Sequence, residues 1–267
     1  MLTDSHLIQF EVFGFLVLKG MLAPEEIERA KADFEVGYAS AREGMDRIGV
    51  RGQLNWSNLG QKTPFLATLL EDERFFGVAQ QILDEDAIGS FSNAASFDGD
   101  RTEWHPDVAN PDWRGLKFGF YLQPLDRNSG ALRFIPGSHK EPLMSDLKKV
   151  IMKESFIGQL NESGLGVEDV PAFAAESEPG DVVLFDNHTW HASYGGGKDR
   201  WMCTMGYFAT PKNRWQEQAV RSMAESDIKL TAMFPHRAPS PQWLENADGD
   251  PTRGRWIAAL RKWGFVE

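Results

Sequence analysis

The spacing of hydrophobic positions changes twice along this chain, and the changes divide it into three stretches. In the first, Thr3 or Asp4 can cap a short helix that stops at Gly14. Phe15-Leu16-Val17-Leu18 then reads as a strand, and Pro24 suits the first position of a helix running to about Tyr38. Residues 46–60, with Arg51, Gln53, Asn55 and Trp56, are polar and Gly-punctuated and read as a long loop. A loop of that kind between bracing helices is expected to act as a lid over a pocket. Asp72 can cap a further helix that carries Phe75, Phe76, Val78, Ala79 and Ile82 at helical spacing. From about 87 to 210, two-residue alternation and short β-branched runs dominate, interrupted at 144–165 by a polar helical insert. After Pro211 the helical period returns and sets Trp256, Leu260 and Trp263 on one face. Many short strands flanked by helices predict a mainly β fold, a double-sheet jelly roll braced from outside.

Residues 116–122 show the alternation clearly. Leu116, Phe118, Phe120 and Leu122 share one face, while Lys117, Gly119 and Tyr121 share the other. If the apolar set lies under the helices, Lys117 and Tyr121 point into a pocket. Arg133, between Leu132 and Phe134, follows the same logic. A buried cation needs a partner. A polar or anionic substrate would serve, and so would an internal Asp or Glu; the sequence leaves both open. Trp104 and Trp56 are the tryptophans expected to wall the pocket.

The chemistry centres on His105-Pro106-Asp107 and on His191. Alone, an H-x-D is equally a surface turn. Here it follows a strand, and residues i and i+2 of extended chain point the same way. His191 closes the far end of an apolar strand that starts after the turn Pro179-Gly180. Two imidazoles and one carboxylate can take one face of a metal and leave the other open, which suits ferrous iron in O₂-activating enzymes. Zinc accepts the same set, so a metal-dependent hydrolase or isomerase on a cupin-like barrel is an alternative. Arg200, nine residues after His191, offers a planar, always-charged fork for a carboxylate. The competing reading is a surface salt bridge with Asp199 or Glu178. His188 lies three residues before His191 and faces the opposite side of an extended segment. His139 reads as structural.

These pieces resemble the phytanoyl-CoA dioxygenase family of Fe(II)/2-oxoglutarate-dependent oxygenases, in particular its bacterial members. They are Trp104-His105-Pro106-Asp107, Lys117-Phe118-Gly119-Phe120-Tyr121-Leu122, Gly130-Ala131-Leu132-Arg133-Phe134-Ile135-Pro136-Gly137-Ser138-His139, the run from Gly180 to Ser193, and Arg200. The resemblance covers about residues 5–210. It implies a double-stranded β-helix core, with Fe(II) on His105, Asp107 and His191. It implies that 2-oxoglutarate and O₂ are cosubstrates, with release of succinate and CO₂. Arg200 would hold the distal carboxylate of 2-oxoglutarate, and Ser193, on the face of His191, matches a position that hydrogen-bonds it. The carboxylate of Asp107 favours hydroxylation or a related oxidation over halogenation. One departure is the short stretch from His191 to Arg200, filled by Gly195-Gly196-Gly197. Lys117, Tyr121, Arg133 and Trp104 are the expected substrate contacts. A non-catalytic binding protein on the same scaffold is disfavoured because His105, Asp107, His191 and Arg200 are all present.

Composition narrows the partners. The 267 residues are 42% apolar and 25% charged, as for one large or two small globular units. Without an internal repeat or a Pro/Gly linker, the expectation is a single domain over 1–267 with its jelly-roll core at about 87–210. The net charge of −11 argues against nucleic acid and anionic membrane surfaces, and no apolar run is long enough to span a bilayer. A basic cluster for a CoA phosphate is not evident, so a smaller metabolite is the expected substrate. The start Met1-Leu2-Thr3-Asp4 does not read as a signal peptide. A single cysteine, Cys203, allows no internal disulfide, and a reducing cytoplasm is the expectation. The oligomeric state is not readable.

Overall fold

The structure is a computed structural model that describes residues 1–43, 53–83, 86–99, 101–151 and 167–267. Helices α1 (Asp4–Phe13) and α2 (Pro24–Arg42) flank strand β1 (Phe15–Leu18). Strand β2 (Gln53–Ser57) leads into α3 (Pro64–Thr68) and α4 (Glu73–Leu83). The strand-rich stretch holds β3 (Ala87–Phe97), β4 (Thr102–His105), β5 (Gly115–Tyr121), β6 (Leu132–Phe134), helix α5 (Leu143–Ile151), and β7 (Phe173–Ala175). It ends with β8 (Val182–Asp186), β9 (His191–Ser193) and β10 (Arg200–Ala209). Helices α6 (Arg214–Met233), α7 (Pro241–Glu245) and α8 (Pro251–Trp263) follow.

The helix ends are set by local chemistry. The Thr3 hydroxyl accepts from the His6 amide at 3.3 Å, and Gly14, at φ 82°, closes α1 by donating to the Phe10 carbonyl. That φ favours a residue without Cβ. At the start of α2 the Glu26 carboxylate accepts from the Ala23 amide at 2.8 Å. Asp72 accepts from the Arg74 amide at 2.9 Å, starting α4 one residue after it.

The strands form two antiparallel sheets. The larger has the order β1-β8-β5-β10-β3-β2 and the smaller β4-β9-β6-β7, the two-sheet jelly roll that the strand spacing predicts. Leu116, Phe118 and Phe120 of β5 face the helices. There Phe118 meets Phe75 of α4 at 5.3 Å, and Trp256 of α8 meets Phe76 at 5.0 Å. A second cluster fills one end of the space between the sheets, where Phe15 stacks on Phe134 with centroids 4.6 Å apart. A third, with Trp104, Ile135, Trp190 and Ala192, covers the outer face of the smaller sheet.

Two sequence expectations change. Of the long polar loop, 53–57 is a strand, not a loop: Trp56 pairs with Ala94 and Leu54 with Ser96 on β3. Leu54 and Trp56 are buried on the helix side, with Trp56 4.7 Å from Phe34. Trp56 is therefore core and not a pocket wall. The part of the expected lid at 46–52 lies outside the described residues. The helical insert at 144–165 appears as α5 up to Ile151, and 152–166 also lie outside them.

Candidate metal centre

β4 and β9 pair antiparallel with His105 opposite His191, so strand register alone sets the two imidazoles side by side. Their ring centroids are 4.4 Å apart. Asp107, two residues beyond His105, brings Oδ1 to 3.8 Å from His191 Nε2. One ligand atom from each of the three residues fits within 4.8 Å of the others. This trio faces the inside of the jelly roll, whereas its neighbours Trp104, Trp190 and Ala192 face outward.

The imidazoles are oriented by backbone. His105 Nδ1 lies 2.8 Å from the Glu103 carbonyl, and His191 Nδ1 lies 2.9 Å from the Thr189 carbonyl. A carbonyl can only accept, so each Nδ1 carries the proton and each Nε2 offers its lone pair. Burial pushes the His105 pKa down and the His191 pKa down to about 3, keeping both rings neutral. Burial alone would raise Asp107. The Lys117 ammonium beside it, with the two histidines, outweighs that and holds the carboxyl well below the usual range. Two neutral imidazoles and one carboxylate at neutral pH form a donor set suited to a divalent ion of borderline hardness.

A second layer holds Asp107. Lys117, on the inner face of β5 as its alternation predicts, places Nζ 3.1 Å and 3.2 Å from the two Asp107 oxygens. Of the two partners left open for Lys117, the internal carboxylate is the one present. Asn187, which the sequence reading missed, donates to Asp107 Oδ2 at 3.3 Å and accepts from Trp113 Nε1 at 3.1 Å. His188 is buried beside it and ties the same turn to the loop after Asp107. Its ring nitrogens lie 2.8 Å from Asp186 Oδ1 and 2.9 Å from the Asn110 carbonyl. Burial lowers the His188 pKa, but the Asp186 hydrogen bond and charge outweigh it and the net shift is upward. The only sequence signal for this layer is the polar Asp186-Asn187-His188-Thr189 turn just before His191.

Arg200 opens β10 opposite Phe97 and is 3% exposed, so it is not a surface salt bridge. Its guanidinium lies 4.6 Å over the Phe97 ring, and Nη1 donates to the Gly130 carbonyl at 3.0 Å. The glycines before it have a structural reason. A Cβ on Gly196 would come within 2.8 Å of Arg200 Nη1, and one on Gly130, at φ 98°, within 2.2 Å. Ser193 and Tyr121 also face the inside, both nearly fully buried.

Two expected substrate contacts point elsewhere. Trp104 belongs to the outer cluster, and its Nε1 donates to the Val167 carbonyl at 2.9 Å. Adjacent strand residues face opposite sides, so an inward His105 turns Trp104 outward. Arg133 likewise lies on the outer face of β6, 3.9 Å over the Tyr194 ring and bonded to the Arg127 carbonyl. The smaller sheet turns its apolar residues, Leu132 and Phe134, toward the space between the sheets, the reverse of β5.

A family model described as phytanoyl-CoA dioxygenase matches residues 10–200. An ectoine dioxygenase of Bordetella bronchiseptica is 24% identical over 219 residues, covering 72% of this chain and 70% of that protein. One of Nocardia farcinica is 23% identical over 217 residues, covering 71% and 72%. Among solved structures, EctD from S. alaskensis with 2-oxoglutarate and 5-hydroxyectoine aligns with a TM-score of 0.57 at 20% identity, over 78% of this chain and 76% of that one. HygX from Streptomyces hygroscopicus with nickel and 2-oxoglutarate aligns with a TM-score of 0.60 at 18% identity, over 79% and 88%. At these identities the structural likeness speaks for the fold.

Proposed function

The chain belongs to the phytanoyl-CoA dioxygenase family, and from that premise we propose how its residues serve an Fe(II)/2-oxoglutarate-dependent dioxygenase that hydroxylates a small molecule. The observation that carries the reading is the convergence of two neutral imidazole Nε2 atoms and the Asp107 carboxylate on one inner face. His105, Asp107 and His191 would hold the iron. Arg200, with Ser193, would hold the distal carboxylate of 2-oxoglutarate. When bound, iron and cosubstrate supply an O₂-derived oxidant, with succinate and CO₂ released.

The protein's own contribution is placement and shielding. Each imidazole is held by a backbone carbonyl, and Asp107 by Lys117 and Asn187. A ligand so fixed need not be reorganised when the metal enters. Arg200 sits in a buried cradle where a charge-assisted bidentate pair is strong. A hydrolase or isomerase needs no clamp for a dicarboxylate, so the buried Arg200 disfavours that alternative. Lys117 we assign to Asp107 and not to the substrate. The helices join the jelly roll in one apolar core, which supports treating the whole chain as one functional unit.

The substrate is a small metabolite in this reading, because the sequence shows no basic cluster for the phosphates of a nucleotide-linked thioester. The similarity to ectoine dioxygenases makes ectoine the first compound to test. A screen for substrate-dependent succinate release with Fe(II), 2-oxoglutarate and O₂ tests the proposal. Release stimulated by a small metabolite supports it; no release above the metal-free control across the panel contradicts it.

A further inference from the structure

The inner face of the larger sheet carries a row of polar residues that neither the metal trio nor Arg200 uses. Asn93 of β3 is its centre, pairing with Ser57 on β2 and with Thr204 on β10. Thr204 in turn pairs with Gly119 on β5. Parity fixes the side on which the row lies. Ala94, Trp56 and Cys203 pack in the core under the helices, so their strand neighbours Asn93, Ser57 and Thr204 face the space between the sheets. Phe97 and Met202, on the same face as Asn93 and Thr204, pack in the cluster between the sheets. Asn93 is 7% exposed, and its Oδ1 is buried with no hydrogen-bond partner among the described residues.

A buried amide oxygen without a partner is rare and costly, and an apolar side chain of similar volume would avoid the cost. It is satisfied when a guest brings the missing donor. The row leaves room for one. It ends at Gly119, where a Cβ would come within 2.8 Å of Met202 Cε. Lys117, two residues before Gly119 on the same face, holds Asp107 of the trio. Asn93 lies two strand spacings, about 10 Å, across the sheet from β5. A small metabolite spans that width, with one end beside the trio and the other at Asn93. The row itself has no charged side chain, so the group it meets is a neutral donor, a hydroxyl or an N–H.

We propose that Asn93 anchors the substrate by accepting a hydrogen bond at Oδ1 from a hydroxyl or N–H group remote from the oxidised carbon. The substrate class is then small metabolites with such a donor at the end away from the metal. This rests on the reading of the space between the sheets as the substrate pocket under Proposed function. An analogue whose donor is capped by a methyl group leaves Oδ1 unsatisfied and is rejected. The amide is kept at a cost to the stability of the empty protein, as functional polar groups are.

The test compares the full chain with its Asn93→Leu variant, which keeps the side-chain volume and removes the amide. The probes are two matched pairs, pyrrolidinone with N-methylpyrrolidinone and cyclohexanol with methoxycyclohexane, titrated under saturation-transfer NMR. In the parent the member with the free donor should bind about tenfold more tightly than its capped partner. In Asn93→Leu the two members should bind alike. Thermal unfolding without ligand gives a second readout, and it also shows that the variant is folded. Relief of the unsatisfied amide should raise the midpoint by about 2–4 °C. A parent that does not prefer the free donors overturns the proposal, as does an Asn93→Leu protein that keeps the preference. A lowered midpoint overturns it too, since the amide would then be part of the scaffold. The measurement needs neither iron nor turnover. Donor-dependent binding in a protein that releases no succinate would therefore leave Asn93 as a ligand anchor while the oxygenase reading falls, and succinate release without donor preference would do the reverse.

Discussion

Lys117 Nζ lies 3.1 Å and 3.2 Å from the two carboxylate oxygens of Asp107, so the acidic member of the trio is held by a cation on the opposite sheet. The pair joins β5 of the larger sheet to the end of β4 in the smaller one. Each side chain is about one-fifth exposed, which makes the pair partly shielded.

Breaking this pair should cost stability. Lys117→Met keeps most of the stem volume and removes the charge, leaving Asp107 with Asn187 as its remaining side-chain donor. A loss of about 2 kcal/mol is expected for a partly buried carboxylate deprived of its cation. Urea unfolding of parent and variant checks this. A midpoint unchanged within error would show that the pair contributes nothing to stability.

Arg200 should govern 2-oxoglutarate affinity without touching iron. Arg200→Lys keeps the charge but loses the fork, and a rise of about ten- to hundredfold in the dissociation constant is expected. Gly130→Ala should act in the same direction although it alters no charged group. Its new Cβ would come within 2.2 Å of Arg200 Nη1, at a φ that disfavours any Cβ. Both variants should bind Fe(II) as the parent does. A Gly130→Ala protein with parental 2-oxoglutarate affinity would remove the cradle from the account.

Trp104→Ala separates core from pocket. Trp104 is 4% exposed in the outer cluster, so its truncation should destabilise the protein by about 3–5 kcal/mol. The 2-oxoglutarate affinity of the protein that remains folded should be unchanged. Weakened 2-oxoglutarate binding at parental stability would return Trp104 to the pocket.

The acid limb of stability should carry the mark of Glu26. The Arg74 hydrogen bond, opposed by burial and helped by the Ala23 amide, lowers its pKa from 4.5 to about 2. Because the folded value is the lower one, the contribution is present above about pH 4.5 and is lost as pH falls from there toward 2. Glu26→Gln should flatten the stability profile across that window, by about 1 kcal/mol once solvent screening is allowed for. Denaturation midpoints at pH 6, 4 and 3 measure it; parallel profiles would contradict the assignment.

Much of this molecule was legible in its residue pattern. The alternation at 116–122 put Lys117 and Tyr121 on the inner face and Phe118 and Phe120 under the helices, as observed. The i, i+2 spacing of His105 and Asp107 placed both on one side. What failed did so for identifiable reasons. In β2 the polar positions Gln53, Asn55 and Ser57 face the pocket side, and only Leu54 and Trp56 face the core, so a half-polar strand read as a loop. The alternation of β5 does not carry over to Arg133, because the smaller sheet is apolar on its inner face and the parity reverses. The His105 rule itself turns Trp104 outward. Asn187 lies eighty residues from Asp107 in sequence, and no local period signals such a contact.

Under the proposed function His105, Asp107 and His191 would hold one ferrous ion, beside which 2-oxoglutarate would bind. Anaerobic addition of Fe(II) and 2-oxoglutarate to the parent protein should produce a visible charge-transfer band that saturates at one equivalent of each. The same addition to folded His191→Ala should give no such band. A parent without the band, or a His191→Ala protein with the full band at one equivalent of iron, would contradict the account.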